Sequence, residues 1–138
     1  MYKKILLAVD GSEHSLRAAK EAVKMASLNE GKVEIVFVAD FGKVKNEVLH
    51  SQGLEELNHT RRMKLQPAVE MMKSNNVMYD VRILHGEPGP AIVEYSNKEK
   101  FDLVVIGSRG LNTLQEMVLG SVSHKVVKRV NCPVLIIK

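Results

Sequence analysis

A chain of 138 residues, 45% hydrophobic and 26% charged, fits one domain able to bury its own core, which excludes a disordered chain. A single cysteine, Cys132, excludes an internal disulfide and any multi-cysteine metal site, and favours a reducing compartment such as the cytoplasm. The net charge of +4 is interleaved with acidic residues, and with 4% aromatics and no tryptophan the chain lacks the basic stripe and stacking platforms of a nucleic-acid binder.

Two lysines are followed by the apolar run Ile5 to Val9, which Asp10 ends. The run is too short for a signal-peptide core or a membrane span, so Lys4–Val9 reads as a buried strand and no membrane attachment is expected. Ser12 suits the N-cap of a helix to about Leu28, with Leu16, Ala19, Val23 and Ala26 on one face and Gly31 closing it. Lys32–Ala39 reads as the second strand, and 40–53 as a loop. Leu54–Asn75 reads as a polar amphipathic helix that Pro67 kinks or interrupts. Tyr79–Leu84 is the third strand, and Gly86-Glu87-Pro88 turns the chain into a short helix over Gly89–Asn97. Phe101–Ile106 gives the fourth strand. Ser121–Val130 is a helix with Val122, Val126 and Val130 on one side, and Pro133–Ile137 is the fifth strand.

Strands alternating with helices imply an α/β domain with a parallel sheet covered on both faces. The first, fourth and fifth strands are continuous apolar runs, as strands buried on both faces require. Ligands of such sheets sit beyond the carboxyl ends of the strands, where the strand order reverses. Two strand ends carry unusual chemistry. The first ends in Asp10-Gly11-Ser12, and the fourth in Gly107-Ser108-Arg109-Gly110, followed nine residues later by Gly120-Ser121 at a helix start. Glycines let a backbone turn sharply and approach a ligand closely. A helix start leaves N–H groups unpaired and carries partial positive charge, so phosphate is its natural occupant. The hydroxyls of Ser121 and Ser123 could add donors, or Ser121 could simply cap the helix.

The pattern Gly107-x2-Gly110-x9-Gly120-Ser121 resembles the nucleotide-binding signature of the universal stress protein family. The flanking VVIGSRG, GSVSHKVV and NCPVLIIK, the opening KKILLAVDGSEHS and the Gly86-Glu87-Pro88 turn resemble that family too, across residues 1–138 and least over 40–75. The resemblance implies one nucleotide-binding domain: a Rossmann-like open twisted sheet of five parallel strands in the order 3-2-1-4-5, with helices on both faces. It implies ATP as ligand, with Mg or Mn bound mainly through the phosphates. Asp10 would meet the ribose or lie near the adenine end. Val38 would offer backbone groups to the adenine edge, and Gly107 would sit beside the ribose. Gly110, Gly120, Ser121, Val122 and Ser123 would surround the phosphates, largely through backbone N–H groups. Phe37 stands where many relatives carry histidine.

The resemblance makes the protein a stress-response regulatory module, in which ATP occupancy biases an interaction with an unidentified protein partner. It also places the fifth strand at the sheet edge, where the row Val134 to Ile137, blunted only by Lys138, invites pairing with a second copy. The alternative is a monomer whose edge is covered by the preceding helix and loop. Two other function classes compete: a slow ATPase, and an interaction protein with an empty site. No P-loop GxxxxGK[ST] or kinase signature set is present, and Glu116, within the excursion 111–119, could face either way, so no catalytic residue is named. Asp10 could hold the turn instead of a ligand, and Arg109 either points toward the phosphates or is solvated. His14, His50, His59 and His85 lack metal-ligand spacing and read as surface residues. Cys132 reads as a structural thiol, and Met63, Met71, Met72 and Met78 as core or interface filler.

Overall fold

The computed structural model describes residues 2–39, 54–109 and 120–138. Along them run β1 (Lys4–Ala8), α1 (Glu13–Asn29), β2 (Lys32–Ala39), α2 (Leu54–Ser74), β3 (Met78–His85), α3 (Pro88–Glu99), β4 (Leu103–Gly107), α4 (Ser121–Arg129) and β5 (Val134–Ile137). The strands form one parallel sheet in the order β3-β2-β1-β4-β5. The order therefore reverses between β1 and β4, where the sequence reading places a ligand.

The continuous apolar run of β1 is divided between two cores by the alternation of side chains along a strand. Ile5, Leu7 and Val9 join Ala18, Ala19 and Ala22 of α1 and Leu65, Ala68 and Met72 of α2. Leu6 and Ala8 join Ile92 of α3 and Val126 of α4 on the opposite face. Ile5, Leu6 and Leu7 are wholly buried, each burial contributing about 1.5–3 kcal/mol. The edge strands are less covered: β3 is largely exposed and β5 half-buried throughout. Asp102 fixes the start of β4 to that of β1, its carboxylate accepting from the Lys3 and Lys4 N–H groups at 3.1 and 2.9 Å.

Local departures from the sequence reading have physical causes. The buried face of α1 is Ser15, Ala18, Ala19, Ala22, Val23 and Ala26, a stripe of small residues that seats the helix close to the sheet. Leu16 instead lines a crevice with Lys64, Pro67 and Ala68 of α2. The left-handed residue that ends α1 is Glu30 (φ 53°), not Gly31, with its N–H bonded to the Ala26 carbonyl. Gly31 answers a spatial need, since a Cβ there would lie 2.8 Å from the Tyr2 carbonyl oxygen. Helix α2 runs through Pro67 without interruption. Pro67 and Met63 are both exposed, so water can take the carbonyl that loses its N–H partner. Met72 is fully buried, but Met63 and Met78 are 62% and 69% exposed and fill no core.

Candidate functional site

The turn after β1 is built by short side chains. Gly11 has φ 88°, a left-handed conformation that favours glycine. An Asp10 carboxylate oxygen accepts from the Ser12 N–H at 2.9 Å, and the Ser12 hydroxyl caps α1 by accepting from the Ser15 N–H at 3.1 Å. Asp10 thus holds the turn with one oxygen, the structural role that competed with its ligand role. The β1–β2 register ends at Ala8 opposite Val36, and the Val9 N–H still reaches the Val36 carbonyl at 2.9 Å. Backbone direction alternates along a strand, so Val38, two residues on, turns its N–H and C=O to the side of β1 beyond that strand's end. Its side chain packs into the α3/α4 core, so only its backbone faces that side.

At the end of β4, Gly107 is enclosed by two helices. A Cβ on Gly107 would lie 2.7 Å from the His14 Cβ and 2.9 Å from the His14 carbonyl carbon, so the first turn of α1 crosses directly over it. On α4, the buried Ser123 hydroxyl donates to the Gly107 carbonyl at 2.6 Å. The Gly120 N–H donates to the Ser108 carbonyl at 2.8 Å, and the Ser108 N–H to the Ile137 carbonyl at 2.7 Å. The start of α4 is thereby tied to the ends of β4 and β5.

Gly120 is the N-cap of α4 and supplies no side-chain hydrogen bond. The first intrahelical bond runs from the His124 N–H to the Gly120 carbonyl at 2.9 Å. The N–H groups of Ser121, Val122 and Ser123 precede it and have no partner within the helix. Ser121 is the exposed first helical residue, not the cap, while Val122 packs its side chain into the core. The first turn carries no acidic residue, and Lys128 and Arg129 close the last turn, so the helix dipole is complemented only at its C-terminus.

Arg109 extends from the end of β4 toward α1, and one terminal guanidinium nitrogen lies 3.0 Å from His14 Nε2. Arginine can only donate, so Nε2 accepts and the imidazole is neutral, with its proton on Nδ1. Burial holds the His14 pKa below the ordinary imidazole value of 6.5, helped by the positive charges of Arg109 and Arg17 and opposed by Glu13 and Asp10. Arg109 Nε is buried and has no acceptor among the described residues. The sequence reading took His14 for a surface residue. Its signal would have been its place in the first turn of a helix that must cross a glycine-ended strand.

The structure therefore brings Asp10, Val38, Gly107, Arg109, Gly120 and the first turn of α4 to one rim of the sheet, where β1 and β4 diverge. The Ser123 hydroxyl is committed to the Gly107 carbonyl, leaving that residue only its N–H for a ligand. Gly110, the excursion 111–119 with Glu116, and the loop 40–53 lie outside the described residues. The α1/α2 crevice encloses about 120 Å³, below the roughly 300 Å³ at which small-molecule pockets begin. Among the described residues, no group of three or more His, Cys, Asp or Glu could hold a metal ion, and no helix is long and apolar enough to cross a membrane.

A model of the universal stress protein family matches residues 1–138. The chain belongs to the universal stress protein family. It is 33% identical over 149 residues to a universal stress protein of Methanocaldococcus jannaschii, covering all of this chain and 83% of that one. Its structure is similar to that of the hypothetical protein MJ0577, with a TM-score of 0.85 at 30% identity over 100% of this chain and 96% of the other. It is also similar to a universal stress protein crystallised in complex with cAMP, with a TM-score of 0.72 at 28% identity over 99% and 97% of the two chains. The family's fold is thus present across the described residues, and the glycine-bearing strand end lies at its switch point.

Proposed function

We propose that this universal stress protein binds ATP at the β1/β4 rim as a regulatory switch, occupancy biasing its interaction with a protein partner. The observation that carries the reading is the start of α4, acid-free and without a side-chain cap, fastened to the Ser108 carbonyl at the end of β4, where the following residue, Arg109, has a buried nitrogen without an acceptor among the described residues. Both features suit an anionic group. In this reading the N–H groups of Ser121, Val122 and Ser123, with Arg109, Gly110 and Gly120, receive the phosphates. Asp10 and Gly107 flank the ribose, and the backbone of Val38 meets the adenine edge. The cAMP complex of a relative 28% identical supports an adenine nucleotide as the ligand class. Mg or Mn would be held mainly through the phosphates.

Ser121→Glu tests the reading. Ser121 is exposed in the first turn of α4, where a carboxylate stabilises the helix by about 0.3–1 kcal/mol. The fold is kept while the anion site is repelled. Calorimetry is expected to show ATP affinity lowered on the order of tenfold or more, with GTP binding the native protein more weakly than ATP. Unchanged ATP affinity in a Ser121→Glu protein of native stability would remove the phosphates from this helix start.

A further inference from the structure

We propose that His14 is a positioning residue of this site: its imidazole holds the Arg109 guanidinium against the end of β4, so that the buried Arg109 Nε meets the anionic part of the ligand. The proposal rests on the ATP reading above and adds to it a residue and a pH dependence. His14 is fixed first by backbone. Its Cβ, carbonyl carbon and carbonyl oxygen lie 2.7, 2.9 and 3.1 Å from where a Gly107 Cβ would be. A larger residue at 107 would lift α1 and carry the imidazole away. With the backbone pinned, Nε2 stands 3.0 Å from the terminal nitrogen of Arg109. That bond fixes one end of a planar fork whose donors keep a rigid geometry. The inner nitrogen, Nε, is buried without an acceptor among the described residues. A buried donor left unpaired is costly and marks where an acceptor belongs. An arginine already ordered binds an anion without the entropy loss of immobilising a free side chain.

The latch closes only while His14 is neutral. A protonated imidazole offers no acceptor and puts a second cation beside Arg109. The charged groups facing the ring are Arg109 and Arg17, which oppose its charging, and Glu13 and Asp10, which favour it. Arg17 is itself drawn outward, toward Glu13 at 3.7 Å and the Lys138 carbonyl at 3.1 Å. The ring stays uncharged at neutral pH, and the latch opens only as pH falls through a His14 pKa that lies below the ordinary imidazole value.

The test is ATP calorimetry on the native protein, His14→Phe, His14→Gln, Arg109→Ala and the His14→Phe/Arg109→Ala pair, with circular dichroism to confirm folding. His14→Phe, which removes the acceptor, is expected to weaken ATP on the order of tenfold, and His14→Gln, which supplies another, to restore most of the loss. The double variant is expected to bind no more weakly than Arg109→Ala alone. Native affinity should fall more steeply than that of His14→Gln as pH drops through the lowered pKa of His14. Without ligand, NMR titration should show the His14 pKa rising in Arg109→Ala. Native affinity in His14→Phe, an equal loss in the Arg109→Ala background, or a His14 pKa indifferent to Arg109 would each overturn the proposal. If the native protein binds no nucleotide, the ATP reading fails and the ligand half of the proposal fails with it, while the titration still decides whether the latch exists.

Discussion

Replacing Gly107 with alanine separates two reasons for a glycine at the end of β4. One is room for a ligand; the other is room for α1. The new Cβ would lie 2.7 Å from the His14 Cβ, 2.9 Å from its carbonyl carbon and 3.1 Å from its carbonyl oxygen. Carbon pairs are at ease at about 3.5–4.0 Å. No rotamer change at His14 relieves the overlap, because all three atoms move only with the helix. Helix α1 in turn is held to the sheet by Ala18, Ala19 and Ala22. Overpacking of this kind costs about 1–3 kcal/mol. Gly107 is not among the positive-φ glycines, so alanine also gains about 0.4–1 kcal/mol from a less flexible unfolded chain. The net expectation is a loss centred on about 1.3 kcal/mol, a fall in Tm of roughly 4–5 °C for a chain of this size. Denaturant melts and calorimetric scans of the ligand-free protein measure it. An unchanged or raised Tm, with ATP binding lost, would show that the glycine serves a ligand alone and that the close passage of α1 is not what requires it.

Two further outcomes follow from the same structure. Phosphate release at saturating ATP should run far below the common enzyme value of about 10 per second. One Asp10 oxygen is engaged in its turn, Glu13 is drawn toward Arg17 at 3.7 Å, and the sequence carries no P-loop lysine motif; rapid turnover abolished by Glu116→Gln would transfer the protein to the enzymes. Strand β5 pairs only with β4 among the described strands and leaves Val134–Ile137 half-buried, so its free edge should join a second copy in a two-fold homodimer. Light scattering at micromolar concentration should report a dimer that Ile136→Lys dissociates; a monomer, or a dimer indifferent to that change, would sink this interface.

The fold was legible because two periodicities were unambiguous. In β1 the run Ile5 to Val9, too short for a membrane span or signal core, reads best as a buried strand, and its residues divide alternately between the two cores. Alternation with helices then made the sheet parallel. Element ends were less legible, since a cap depends on geometry as much as on residue type. Glu30 takes the left-handed position although a glycine stands next to it, and Gly31 instead makes room for Tyr2 and Lys3 just before β1.

In the site, the glycines and the helix start were legible as a motif, but the work each residue does was not. Gly107, Ser123 and Asp10 all carry types that suit a nucleotide, yet each has a partner inside the fold: α1 over Gly107, the Gly107 carbonyl for Ser123, the Ser12 N–H for Asp10. These contacts join residues up to 93 positions apart, the span from His14 to Gly107, and no local pattern encodes them. They also narrow what a ligand can use. With the Ser123 hydroxyl and one Asp10 oxygen committed, the described groups open to an anion include the backbone N–H groups that open α4, the exposed Ser121 hydroxyl and the guanidinium of Arg109. Arg109 owes its place to His14, and His14 owes its own to the missing side chain at Gly107. In the proposed reading that glycine acts on the ligand through packing: by letting α1 approach, it brings an imidazole within reach of Arg109.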